Sequence, residues 1–112
     1  MTDLSDLPSS LQRFAAKYPK IWEKYSELGQ ESSLAGPLDG RLVQLIKVAI
    51  YASKRQETPL KTHVRLAIEN GATAEEIDHT VLQILTAEGL GTTIRVWNWA
   101  NSVIEDESRK AP

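Results

Sequence analysis

Apolar residues recur every three or four positions along most of the chain, and no segment shows the strict alternation of a half-buried strand. The pattern therefore predicts an all-α protein with five or six helices. The first helical stretch follows Asp6 as its N-cap and ends near Gly29. Within it, Tyr18 precedes Pro19 and is disfavoured in helical geometry, so we expect two short helices or one kinked helix. Residues 30–37 are predicted to form a loop.

Four more helices are predicted, and three of them open with residues that favour helix starts. They cover about residues 39–55, 58–71, 73–89 and 92–107. Asp39 and Thr58 are candidate N-caps, and Pro59 suits the first helical position. Thr73 and Glu76 have the spacing of a capping box, in which each side chain accepts a hydrogen bond from the other residue's backbone.

The predicted helix over residues 39–55 is apolar on two sides. One side consists of Leu42, Leu45, Ile46, Ala49 and Ile50. Val48 and Tyr51 lie on the opposite side and flank Gln44. A helix that is apolar on two sides is buried on two sides. Because the chain is short, we expect the second side to meet another subunit, which predicts a homo-oligomer.

Length and composition predict a single soluble domain over residues 1–112, with loose ends at 1–6 and 106–112. The net charge is −2 and no basic stripe emerges, so nucleic acid is not an expected partner. No apolar run approaches the roughly 18–20 residues of a membrane span, and no basic signal segment begins the chain. We therefore expect a cytoplasmic protein without membrane contact. The absence of cysteine excludes disulfides, thiolate metal ligands and cysteine nucleophiles.

His63 and His79 are the only histidines. His79 lies nearly opposite the apolar stripe of its helix and is expected to be solvated. His63 lies at the edge of an apolar stripe, which leaves two interpretations open. It is either a residue at the margin of the core or a general acid or base, since the unperturbed pKa of histidine lies near neutrality. The separation of the two histidines fits no common metal-ligand spacing, so no metal site is predicted.

Other residues are candidates for a binding or catalytic site. Glu88 falls on the inward stripe of its helix, where a carboxylate is unusual, so it either emerges at the helix end or acts as a pocket acid. Gln44 either satisfies a backbone group or lines a site. Trp97 and Trp99 lie at opposite edges of the apolar arc of the last helix. One is expected in the core, and the other at a pocket or an interface, where tryptophan is favoured.

Three segments carry a family resemblance. They are residues 36–50 (GPLDGRLVQLIKVAI), 62–68 (THVRLAI) and 69–77 (ENGATAEEI). Through them the chain resembles the carboxymuconolactone decarboxylase and alkyl hydroperoxidase D-like superfamily over about residues 36–104. The resemblance implies the helical fold of that superfamily and a homo-oligomer, commonly a trimer or a hexamer.

The resemblance also bears on peroxide chemistry. The hydroperoxidase branch uses a Cys-x-x-Cys pair before the histidine that corresponds to His63, together with a glutamate in the preceding helix. Here Gln56 and Pro59 stand at the cysteine positions, and Gln44 stands at the glutamate position. Neither glutamine nor proline supplies a thiolate. We therefore expect no thiol-dependent peroxidase or disulfide reductase activity.

The decarboxylase branch does not use that cysteine pair, and it implies a small carboxylated or lactone substrate such as 4-carboxymuconolactone. We expect His63 to be the catalytic acid and no cofactor to be required. Glu57 and Glu88 are nominated, from spacing alone, as catalytic carboxylates that orient the histidine. Gln44 and Trp97 are the predicted substrate-binding residues. The alternative is a non-catalytic oligomeric protein of the same fold that binds a small ligand or a partner.

Overall fold

The computed structural model describes residues 7–110, and within them the secondary structure is helical, with no strand. The helices are α1 (Ser9–Lys17), α2 (Pro19–Leu34), α3 (Gly40–Ser53), α4 (Glu57–Glu69), α5 (Ala74–Leu82), α6 (Leu85–Glu88) and α7 (Leu90–Lys110). The helix α6 is a single turn, and the others have nine residues or more. The all-α prediction is confirmed. None of the described helices is long and apolar enough to cross a membrane.

The chain divides into two compact units, of which the first ends at Leu38 and the second begins at Asp39. The first unit contains α1 and α2. Its two helices are separate because Tyr18, before Pro19, has φ −127° and ψ 67°, outside the helical region. The predicted N-cap Asp6 lies outside the described residues. A single domain over the whole chain stays a prediction.

The predicted loop at residues 30–37 is wrong for its first half, because α2 continues to Leu34. The segment 30–33 contains neither glycine nor proline, so nothing in it stops a helix that is already formed.

The second unit is an arrangement of four long helices around one core. The helix α3 packs against α4 and α5, and α7 packs against the same two helices, so α3 and α7 occupy opposite corners. The largest fully buried side chains of these four helices are Val48, Leu60, Val64, Ile77, Val81 and Val96. This core fixes the positions of α3 and α4, the two helices that carry most of the candidate site.

The helix α3 begins as predicted, because the Asp39 side chain accepts a hydrogen bond from the Leu42 backbone N–H at 2.8 Å. Its apolar residues do fall on two sides, but the sides differ from the predicted ones. The core side consists of Leu45, Val48 and Ala52, whereas Leu42, Ile46 and Ile50 are exposed. The predicted single stripe is thus shared between the core and the surface, since only positions turned towards α4 and α5 are covered within this unit.

The helix α4 starts one residue before the predicted N-cap. Gln56 occupies the N-cap position without a side-chain hydrogen bond, and Thr58 already lies inside the helix. The helix ends before Gly71, whose φ of +95° is readily adopted only by glycine.

The last part of the chain is divided differently from the prediction. The helix expected over residues 73–89 ends at Leu82, and the single turn α6 follows. Gly89, with φ +89°, then separates α6 from α7. The helix α7 continues to Lys110, so residues 106–110 are helical rather than loose. Ion pairs three residues apart join Asp106 to Arg109 and Glu107 to Lys110 in its last turn.

The capping box of α5 provides a stability test. The Thr73 hydroxyl accepts from the Glu76 backbone N–H at 3.1 Å, and the Glu76 carboxylate accepts from the Thr73 N–H at 3.0 Å. We expect Thr73→Ala to lower the free energy of unfolding by about 1 kcal/mol in denaturant titrations. Thr58→Ala is the matched control, with an expected change within about 0.5 kcal/mol because Thr58 caps no helix. Equal losses in the two variants would contradict this assignment of the helix starts.

Candidate functional site

The candidate site is centred on His63, which projects from α4 towards α3. Its Nδ1 lies 2.7 Å from the side-chain oxygen of Gln44 on α3. A carbonyl oxygen only accepts hydrogen bonds, so Nδ1 carries the hydrogen and donates it. The other ring nitrogen, Nε2, therefore keeps its lone pair and is the acceptor that the ring can offer to a ligand.

Tyr51 fixes the plane of the same imidazole. The two rings are stacked, with centroids 5.2 Å apart and an interplanar angle of 8°. Gln44 and Tyr51 are seven residues apart, which is about two helical turns, so both side chains leave α3 on one side. Stacking sets the tilt of the ring and the hydrogen bond sets its rotation, so the direction of the Nε2 lone pair is defined.

Burial and, to a smaller extent, the positive charge of Lys47 together lower the pKa of His63 from its ordinary value to about 4. Gln44 accepts a hydrogen bond but brings no negative charge that would offset either effect. The imidazole is therefore neutral at pH 7 in the free protein. In this state Nε2 is a hydrogen-bond acceptor and a weak base, and the role of His63 as the catalytic acid stays a prediction.

Lys47 adds a cation to the site that sequence analysis did not identify. It is half-buried, and it forms no ion pair with any residue between 7 and 110. Gln44, Lys47 and Tyr51 follow the spacing i, i+3, i+7, so one side of α3 carries all three. This spacing is the signal in the sequence that could have identified Lys47 as part of the site. A cation that has no ion-pair partner among the described residues, and whose charge acts on a neutral imidazole, is suited to an anionic ligand.

The two nominated carboxylates have other partners. Glu57 is exposed and pairs with Lys61 on its own helix, with 2.7 Å between the carboxylate oxygen and Nζ. Glu88 is half-buried on α6 and accepts a hydrogen bond from the Ser53 hydroxyl at 3.0 Å. Within the described residues, neither carboxylate is hydrogen-bonded to His63. The orienting contact comes from Gln44 instead, and the catalytic roles of both glutamates stay predictions.

Trp97 lies at a different surface of the second unit. It is 44% exposed and lines a groove of about 360 Å³ between α5 and α7, whereas Trp99 packs against the core. The apolar lining of this α5–α7 groove consists of Leu82, Leu85, Leu90, Ile94 and Trp97, and its polar residues include Asp78 and the exposed His79. Neither His63 nor Gln44 lines the groove. A role for Trp97 in binding the substrate therefore stays a prediction.

The described residues contain no group of three or more histidine and carboxylate side chains placed to hold a metal ion. What they bring together is a neutral histidine, a glutamine, a tyrosine and a lysine on two packed helices. Their chemistry is hydrogen bonding, anion binding and proton transfer. The class that fold and site define is thus an all-α protein with one histidine-centred polar site and no thiol.

The sequence pattern of the carboxymuconolactone decarboxylase family matches residues 17–102, and the chain belongs to that family. The match begins inside α1, well before the predicted start near residue 36. A solved structure of similar fold is that of an apo carboxymuconolactone decarboxylase family protein from Legionella pneumophila. It aligns with a TM-score of 0.76 and 23% identity over 88% of this chain and 87% of the other. No curated protein matches the chain.

The Gln44 contact predicts how the pKa of His63 responds to substitution. In Gln44→Glu a carboxylate replaces the neutral acceptor, so we expect the pKa of His63 to rise by about 1–3 units. The NMR titration of the His63 ring protons measures it, with the exposed His79 as an internal reference signal. Lys47→Gln should also raise the pKa of His63, because it removes the positive charge that is the second cause of the lowering. An unchanged pKa in Gln44→Glu would contradict the hydrogen bond.

Proposed function

We propose that this family member acts on a small carboxylated or lactone substrate by proton transfer at His63, without redox chemistry. The observation that carries the proposal is the Gln44–His63 hydrogen bond of 2.7 Å, which leaves Nε2 free in a site where the charge of Lys47 acts on the ring. The site thus offers a proton-transfer group of defined direction and a cation for a carboxylate. Lack of cysteine fits a reaction that transfers no electrons to peroxide.

The chemistry would use the neutral histidine in two stages. A substrate carboxylate held by Lys47 adds a negative charge to the site, so it opposes the effect of the lysine and raises the pKa of His63. Nε2 then takes a proton from solvent. In a decarboxylation, the bond between carbon and the carboxylate breaks, carbon dioxide leaves, and the electron pair moves into the conjugated lactone carbonyl. The imidazolium transfers the Nε2 proton to the carbon that lost the carboxylate, and the imidazole becomes neutral again.

A non-catalytic oligomeric protein that binds a small ligand is the second candidate. It is favoured by one observation, that no carboxylate between residues 7 and 110 forms a hydrogen bond or an ion pair with His63. In this case the Gln44–His63–Tyr51 cluster would stabilise the contact between α3 and α4, and Lys47 would still attract an anion.

Carbon dioxide release from 4-carboxymuconolactone tests the enzymatic proposal. We expect His63→Gln to lower kcat at least about 100-fold, because it removes the proton-transfer group. Lys47→Met should raise KM about tenfold, because it removes the cation that holds the carboxylate. Lys61→Met is the matched control: it removes a lysine charge of similar exposure on α4 that is paired with Glu57, and we expect unchanged kinetics.

Two results would decide against the enzyme. The first is turnover that survives in His63→Gln. The second is no turnover by the wild type with 4-carboxymuconolactone or related carboxylated lactones. Calorimetric binding of a small carboxylate that depends on Lys47 would, in the second case, support the ligand-binding candidate.

We also propose that the protein is a homo-oligomer, a trimer or a hexamer. The exposed side of α3 and the α5–α7 groove are both apolar, and large exposed apolar surfaces mark interaction sites. Light scattering at micromolar concentration should therefore give three or six times the mass of one chain. A monomer mass over this range would contradict the proposal.

A further inference from the structure

Two exposed apolar surfaces in the second unit have different shapes. The first is the α3 ridge, formed by Leu42, Ile46 and Ile50, which are 37–48% exposed. The second is the α5–α7 groove, in which Leu82, Leu90, Ile94 and Trp97 are 44–65% exposed. The ridge is a convex stripe on one helix, and the groove is a concavity between two. Side chains of one helix pack best when they enter a groove of another surface.

The dimensions of the two surfaces match. From Leu42 to Ile50 the ridge is about 12 Å long, and from Leu90 to Trp97 the α7 wall of the groove is about 10 Å long, at about 1.5 Å per helical residue. If the groove paired with a second groove, the two concavities would face one another and enclose unfilled space. A helix ridge fills that space. Its side chains then make van der Waals contacts with the groove that a void would lack.

Each surface also has one charged end. Lys54 follows Ile50 by one turn, at the C-terminal end of the ridge, and its Nζ lies 5.9 Å from the centre of the ring of Tyr51, on the adjacent side of α3. Asp78 belongs to the Trp97 end of the groove, because the Asn101 side-chain amide donates both to its carboxylate at 2.9 Å and to the Trp97 carbonyl at 3.0 Å. Between residues 7 and 110, neither Lys54 nor Asp78 forms an ion pair.

We propose that the α3 ridge of one copy lies in the α5–α7 groove of a second copy, with Lys54 directed towards Asp78. The inference rests on the proposed oligomer and names its contact surfaces. Every copy carries both a ridge and a groove, and α3 and α7 occupy opposite corners of the unit. One copy therefore binds two neighbours at once. A contact between two different surfaces generates a ring when the rotation closes, as in a trimer.

Single substitutions test the two surfaces separately. Ile46→Asp places a charge on the ridge, and Ile94→Asp places one in the groove. Each should raise the dissociation constant at least about 100-fold in sedimentation measurements, because a buried unpaired charge is costly. Ile21→Asp is the matched control, since Ile21 is an exposed isoleucine on α2, outside both surfaces. We expect it to assemble as the wild type does, and circular dichroism confirms that each variant is folded.

Mixing the two variants gives the decisive result. Ile46→Asp keeps an intact groove and Ile94→Asp keeps an intact ridge, so one contact between them remains possible. We expect a 1:1 heterodimer that grows no further, identified by native mass spectrometry with one variant isotope-labelled. If each surface instead paired with a copy of itself, mixing would not restore this complex, and the proposal would be overturned.

The remaining outcomes separate this inference from the proposed oligomer. A monomeric wild type overturns both. An oligomeric wild type whose assembly survives Ile46→Asp or Ile94→Asp, or is lost only in Ile21→Asp, overturns the ridge–groove contact and leaves the oligomer standing.

As a second test, Lys54→Glu and Asp78→Lys should each weaken assembly about fivefold, and the double variant should recover it. If the double variant did not recover the assembly of the wild type, the proposed contact between Lys54 and Asp78 would be wrong.

Discussion

The packing of α3 against α4 is the constraint on which the rest of the structure depends. Three sides of α3 serve three purposes. Leu45, Val48 and Ala52 enter the core, the side with Gln44, Lys47 and Tyr51 meets His63, and the α3 ridge is exposed. Because the core contact sets the rotation of the helix, it also sets what reaches the histidine and what faces solvent. A one-residue rotation of α3, about 100°, would exchange these roles.

The glutamine at position 44 determines the chemistry that His63 can perform. An amide oxygen accepts the Nδ1 hydrogen without adding charge, so burial and Lys47 lower the pKa of the ring unopposed. In the hydroperoxidase branch that the sequence resembles, a glutamate stands at this position, and a carboxylate there favours the imidazolium. The neutral ring and the lysine charge are therefore two parts of one electrostatic arrangement, which favours an anionic ligand over a cationic one.

Sequence signals predicted the helix starts correctly where the capping interaction involves only neighbouring residues. Asp39 and the Thr73–Glu76 pair cap helices as expected, because a cap involves only residues within one turn. Thr58 shows the limit of such signals, since the chain enters α4 earlier, at Glu57. For the site, periodicity brought His63 and Gln44 forward as candidates. It did not pair them, because their contact joins two helices and depends on how α3 and α4 pack.

The sequence by itself determined the helical class, the absence of thiol chemistry and the two-sided apolar character of α3, since each follows from residue type and spacing along one element. Only the tertiary structure decided that Gln44 rather than Glu57 or Glu88 holds His63, that Lys47 shares its site, and that Trp97 lies in a separate groove. Helical periodicity defines on which side of a helix each residue lies. Which other helix that side contacts is set by the packing of helices far apart in the chain.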